Sequence, residues 1–275
     1  MDIATIGGLV AGLLIVGIVM IMDGGSPAEI FAHPSAILLI FGGSISATTI
    51  TTSLKTTLSI PGLLKQAMNV NKFEVVESIE LLVKMADRAR RDGLLALEEE
   101  SKKIVDPFMQ KGIMMVVDGT DPSEVKAILE TNIQQIRVRH KVGIGFFASA
   151  GGFAPTFGII GTVMGLISVL KQLDDPNALA TSIAAAFLAT LWGLLFANLI
   201  YLPISGKLKA KSDEEVHVRE MQLEGILSIQ AGQNPRIVRE KLSAYLSPAE
   251  LKLINGGEQA ETGAKKAAKP EKVKA

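Results

Sequence analysis

The chain has 275 residues, 28 basic and 28 acidic side chains, and no cysteine, which excludes disulfides, thiolate metal sites and a cysteine nucleophile. Its mean hydropathy of +0.35 averages two unlike populations, oily segments and strongly charged ones. His33, His140 and His217 lie far apart with no ligand spacing, and no G-x-S-x-G, P-loop or H-E-x-x-H occurs, so no enzyme active site, metal site or cofactor is expected.

Four apolar segments contain no Asp, Glu, Lys or Arg: Ile3–Met22, Ser35–Thr52, Val142–Leu170 and Leu179–Leu202. About 20 apolar residues at ~1.5 Å rise cross the ~30 Å hydrocarbon core of a bilayer, so the chain is expected to be an all-α membrane protein with four transmembrane helices. The start, Met1-Asp2-Ile3, has no basic n-region, and the first apolar run is longer than a signal-peptide core, so an uncleaved span is expected. It ends at the turn cluster Asp23-Gly24-Gly25-Ser26-Pro27. The second starts after Pro34, which suits a first helical turn, and its Gly42, Gly43, Ser44 and Ser46 permit close helix approach.

Residues 53–141 predict a large helical cytoplasmic region. Val75, Ile79, Leu82, Val83 and Ala86 recur at helix spacing until Gly93. A second helix is expected from about Leu94, with Leu94, Leu97 and Ile104 on one side, interrupted at Asp106-Pro107. Asp118-Gly119-Thr120 predicts a turn. Asp121-Pro122-Ser123-Glu124 then supplies an N-cap, a proline at the first helical position and an acid at the third. No turn signal separates this helix from the third span, so one long helix is expected. After the fourth span, residues 204–255 predict helix with a turn at Gly232-Gln233-Asn234-Pro235, and residues 256–275 predict a disordered tail. The domain division expected is 1–52, 53–141, 142–203, 204–255 and 256–275.

Lys and Arg set the expected topology. Lys55 to Lys141 holds 14 of the 28, Lys207 to Lys274 holds 13, and only Lys171 lies between the last two spans. By the positive-inside rule the long charged stretches and both termini are cytoplasmic.

Spans three and four carry faces of small and polar residues. Gly151, Pro155, Gly158, Thr162 and Gly165 line one side of the third helix; Ser182, Ala186, Thr190, Gly193 and Ala197 line the fourth. Such faces pack on other helices rather than on lipid. Packing alone accounts for either threonine taken singly, since a membrane threonine commonly bonds its own i−4 carbonyl. Two hydroxyls near mid-membrane also offer oxygens to a hydronium or a cation. Pro155 and Pro203 each free a backbone carbonyl one turn earlier, or simply kink or end a helix. Proton relays normally use an Asp or Glu, and the spans offer none, so either no ion moves or another subunit brings the carboxylate.

These residues resemble the MotA/PomA family, the larger stator subunit of the bacterial flagellar motor, within the MotA/TolQ/ExbB proton channel superfamily. The likeness covers about residues 1–255. It rests on Pro155-Thr156-Phe157-Gly158-Ile159-Ile160-Gly161-Thr162, Ala189-Thr190-Leu191-Trp192-Gly193, Leu202-Pro203, and Ala89-Arg90-Arg91-Asp92-Gly93-Leu94-Leu95-Ala96-Leu97-Glu98-Glu99. The resemblance implies a multi-pass protein of the inner membrane that couples proton or sodium flow to rotor rotation for motility. It implies a homopentameric ring around a MotB/PomB-type single-span subunit that supplies the membrane Asp, with FliG as rotor partner, membrane lipid around it and no nucleic acid. By position, Thr162 and Thr190 match threonines near the ion site, Pro155 and Pro203 match prolines coupled to ion passage, and Arg90, Arg91, Glu98 and Glu99 match rotor-facing charges. Thr162 leans the ion toward sodium, while Phe31-Ala32-His33-Pro34 lacks the acid that sodium-type members often carry there. The competing reading is a TolQ/ExbB-like energising subunit of an envelope transport or cell-wall machine.

Overall fold

The structure is a computed structural model describing residues 3–31, 33–69, 74–171 and 176–252; the expected tail lies outside them. In chain order the helices are α1 (Ile3–Met22), α2 (Pro34–Thr51), α3 (Leu54–Leu58), α4 (Ile60–Met68), α5 (Val75–Asp92), α6 (Glu98–Ser101), α7 (Pro107–Val117), α8 (Pro122–Leu170), α9 (Pro176–Leu195), α10 (Leu202–Gln230) and α11 (Pro235–Ser243). A 3₁₀ turn precedes α2 (Pro27–Phe31), another precedes α6 (Leu94–Leu97), and a π-helical segment (Phe196–Tyr201) joins α9 to α10. Among the described residues there is no strand. Among the described residues four helical stretches are long and apolar enough to cross a membrane: Ala4–Met22, Pro34–Thr51, and parts of Pro122–Leu170 and Leu179–Gln230. This is an all-α membrane protein with four transmembrane helices.

The described residues form two compact units, one within 1–71 and 137–212 and the other within 72–136 and 213–275. The first holds the apolar spans. Its core gathers Ile40, Phe146, Phe147, Ala150, Ala154, Ala189, Trp192, Phe196 and Tyr201. Small residues let α8 and α9 meet at backbone distance. A methyl group placed on Gly165 would lie 2.6 Å from the Ala186 Cβ, and one on Gly161 would lie 2.6 Å from the Ala189 Cβ. One on Gly193 would lie 2.8 Å from the Ala154 carbonyl oxygen and 3.1 Å from the Gly158 Cα. As the residue number rises along α8 it falls along α9, so the two run antiparallel. The small-residue faces read from the sequence are therefore turned on each other.

The second unit packs around Ile79, Leu82, Met85, Leu97, Met109, Ile113, Leu129, Met221, Ile226, Val238 and Leu242. The heptad-like spacing in α5 reaches this core through Ile79, Leu82 and Ala86, with Val75 and Val83 packed at its edge. α5 ends where expected, at Gly93 with φ +84°, a conformation that favours glycine. The Asp121 carboxylate opens α8, accepting from the Ser123 N–H at 2.8 Å, and α8 runs unbroken to Leu170.

Two local expectations give way to different geometry. The helix expected from Leu94 is instead a 3₁₀ turn and the four-residue α6. Ser101 closes it, its hydroxyl donating to the Glu98 carbonyl at 2.7 Å while its own carbonyl accepts from the Gln110 side chain at 3.2 Å. Ile104 then enters the core. Nor does Pro203 end a helix, because α10 runs from Leu202 to Gln230. A proline ring collides with the carbonyl four residues back. Here the preceding turn is widened, the Leu202 N–H reaching five residues back to the Ala197 carbonyl.

Asp106 organises the second unit. Its side chain caps α7 by accepting from the Phe108 N–H at 3.0 Å. It also accepts from Gln222 Nε2 at 2.8 Å and pairs with Arg219. Arg219 lies 5.3 Å from the centre of the Phe108 ring and 3.6 Å from Glu215. Burial pushes the Asp106 carboxyl up, but the Gln222 hydrogen bond and the Arg219 charge outweigh it and hold the group below the usual carboxylate range.

Candidate ion pathway

The structure brings Thr162 and Thr190 together. Their hydroxyls are hydrogen-bonded to each other across α8 and α9. Thr162 Oγ1 also lies 3.1 Å from the Gly158 carbonyl in its own helix and 3.1 Å from the Ala186 carbonyl across the contact. A hydroxyl has one proton to donate, so two acceptors and a second hydroxyl around one oxygen form a cluster richer in lone pairs than in donors. Hard cations take such oxygen ligands. Both threonines are partly exposed, so the cluster is open to what lies beside the helix pair. The glycines create it: a methyl on Gly158 would lie 3.2 Å from both the Ala189 carbonyl oxygen and the Thr190 Cα.

Pro155 and Pro203 do not join this cluster. Pro155 lies inside α8, where its missing N–H leaves the Gly151 carbonyl without its helical partner. Its Cα would lie 3.3 Å from a methyl on Gly193, which places it at the α8–α9 contact. Pro203 is exposed in the first turn of α10, directly after the π-helical segment.

A cavity of about 270 Å³ is lined by His33, Ser35, Leu39, Gly161 and Ala189, among others. It adjoins the immediate neighbours of both threonines.

Sequence reasoning missed the link from α2 to the π-helical segment. The buried Ser44 hydroxyl lies 3.1 Å from the Tyr201 hydroxyl, and Phe196 stacks on Tyr201 with ring centres 6.0 Å apart. A tyrosine inside an apolar run was the available signal, since a buried phenol needs a partner. Trp192 is fixed likewise, its Nε1 donating to the Ile30 carbonyl at 2.8 Å.

In the second unit Arg90 and Arg91 end α5, and Glu98 and Glu99 begin α6, so the four charges flank the turn at Gly93. All four are exposed. Arg91 pairs with Asp87, and Glu98 accepts from Lys102 at 2.9 Å. The Arg88–Glu100 pair, 2.5 Å apart, ties the two elements together.

Comparison with known proteins places this architecture. Residues 100–221 match the MotA/TolQ/ExbB proton channel family. Motility protein A of Borreliella burgdorferi is 38% identical over 232 residues, 83% of this chain and 89% of the relative. The chemotaxis protein PomA of Vibrio alginolyticus is 38% identical over 253 residues, 92% of this chain and 98% of the relative. The fold superposes on the structure of MotAB from C. jejuni with a TM-score of 0.86 at 33% identity, covering 90% of this chain and 97% of the other. The chain belongs to the MotA/TolQ/ExbB proton channel family, in its branch of flagellar motor stator subunits.

Proposed function

We propose that this chain conducts ions only together with a second subunit, and that it turns their passage into rotation of a ring of its own copies. The observation that carries the reading is the Thr162–Thr190 oxygen cluster in spans that contain no acid. A charge crossing a bilayer needs a site to dock on, and hydroxyls with carbonyls complete such a site without neutralising the ion. The relatives named as MotAB and PomA support a MotB/PomB-type single-span partner that supplies an Asp beside this cluster. They likewise support a homo-oligomeric ring and contact between Arg90, Arg91, Glu98, Glu99 and a FliG-type rotor protein. Exposed charges held on a tied scaffold steer repeated encounters without locking them. The distribution of Lys and Arg supports cytoplasmic termini in an inner-membrane protein. The activity is transport and mechanical coupling, with no bond made or broken, so the chain is not an enzyme.

Sodium is the proposed ion, because four hydroxyl and carbonyl oxygens beside a carboxylate are the ligands that hard cations take. About 100 mV supplies ~2.3 kcal/mol per charge moved, so several ions per step can drive a large rotation. The test combines a substitution with an ion change. Thr190→Val keeps the shape and removes one oxygen; it is expected to abolish swimming while the complex still assembles. The unsubstituted motor is expected to stop when sodium is withdrawn at fixed pH. Normal swimming by Thr190→Val rejects the pathway, and swimming that is indifferent to sodium rejects the ion.

A further inference from the structure

The exposed side of the α8–α9 pair changes character along its length. One side is covered: Phe157 would be struck by a methyl on Gly43 of α2, and the Phe196 ring lies 5.8 Å from that of Phe41. On the uncovered side, α8 from Ile159 onward presents bulky apolar residues, Ile159, Val163 and Ile167. Between residues 143 and 158 the exposed residues are instead Ala148, Gly152 and Thr156. A methyl on Gly152 would meet nothing within 4 Å, so this glycine serves no packing within the chain.

Asn198 stands at the matching level of the antiparallel partner. It is eight residues past Thr190, about 12 Å along the helix, and Thr156 is six residues before Thr162, about 9 Å in the same direction. Asn198 is exposed. Its Nδ2 donates to the Leu194 carbonyl at 2.9 Å, which leaves the amide oxygen and the second N–H to the surroundings. The exposed Thr156 hydroxyl donates to the Phe153 carbonyl at 2.7 Å, leaving its lone pairs outward. Hydrocarbon gives such groups no partner, whereas water or a polar passage does. Both polar groups lie in the same direction along the helices from the threonine pair, past the exposed Ile159 on α8 and Leu194 on α9.

We propose that Asn198 and Thr156, beside the open notch at Gly152, line the wetted half of the ion path, where a cation leaving the Thr162–Thr190 cluster regains its water shell. The assignment rests on reading that cluster as the ion contact. Asn198 is a positioning residue for the leaving ion and its waters.

The absence of cysteine makes the test direct. Asn198→Cys, Thr156→Cys and, as a dry reference, Ile15→Cys are each expressed with the single-span partner and exposed in membranes to a water-soluble cationic methanethiosulfonate. The thiolate is the reactive form and exists only where water reaches. Both path positions are expected to label at least tenfold faster than Ile15→Cys, and labelling at residue 198 is expected to cut ion flux at least tenfold. Labelling of Asn198→Cys at the reference rate overturns the assignment; if that variant fails to assemble, Thr156→Cys decides it by the same criterion. Flux through the unlabelled complex is measured in parallel. A silent unlabelled complex refutes the conduction reading, whereas a conducting complex with dry positions refutes only this one.

Discussion

Gly193→Ala is expected to abolish swimming and to cut the yield of assembled complex at least tenfold, although it adds a single methyl group. That methyl would lie 2.8 Å from the Ala154 carbonyl oxygen, 3.1 Å from the Gly158 Cα and 3.3 Å from the Pro155 Cα. All three obstacles are backbone atoms, so no rotamer change relieves the clash and the helices must separate. Overpacking in a tight core typically costs about 1–3 kcal/mol, and membrane helices have no hydrophobic drive to hold them against it. Separation also parts Thr162 from Thr190, so assembly and conduction fail together. Gly42→Ala is the control: its methyl would meet nothing within 4 Å, and near-normal yield is expected. Wild-type yield and motility for Gly193→Ala would disprove the close α8–α9 contact.

The second large effect belongs to the other unit. Arg219→Ala removes the cation beside a partly buried Asp106, together with its packing over the Phe108 ring. Breaking such a pair leaves a carboxylate with only Gln222 and the Phe108 N–H as donors, and is expected to destabilise the unit by about 3 kcal/mol. Arg219→Lys is expected to restore little of this, since a point ammonium cannot serve Asp106, Glu215 and Gln222 from one plane. The same network fixes the direction of a pH effect. Asp106 is held below its ordinary value, so its contribution is complete above its unfolded pKa of about 3.9 and is lost as the pH falls through the lower folded value. Thermal melts of wild type and Asp106→Asn should therefore differ most near neutrality and converge in acid. A constant gap between the two melts would contradict the assignment.

The parts of this structure legible in the sequence are those that local chemistry decides. Four charge-free runs gave four membrane-length helices, Gly93 and Asp121 marked real helix ends, and the small-residue steps from Gly151 to Gly165 and from Ala186 to Ala197 located the helix contact. The threonine pair followed because both residues sit on those faces. What stayed hidden depends on partners far away in the chain. The widened turn at Phe196–Tyr201 forms beside Pro203 and the Ser44 hydroxyl, which lies 157 residues from Tyr201. Asp106 and Arg219 are 113 residues apart, and nothing near either one announces the other. The short α6 reads as a longer helix because apolar spacing alone does not reveal that Gln110 donates to the Ser101 carbonyl.

The spans present oxygens to a moving ion but lack the acid it must bind, so conduction requires a second chain. The direct measurement is sodium flux into vesicles under an imposed potential, with this chain reconstituted alone and then with its single-span partner. Background flux is expected from the chain alone, strong flux from the pair, and loss of that flux on replacing the partner's membrane carboxylate with its amide. Flux from the chain alone equal to that of the pair would contradict it.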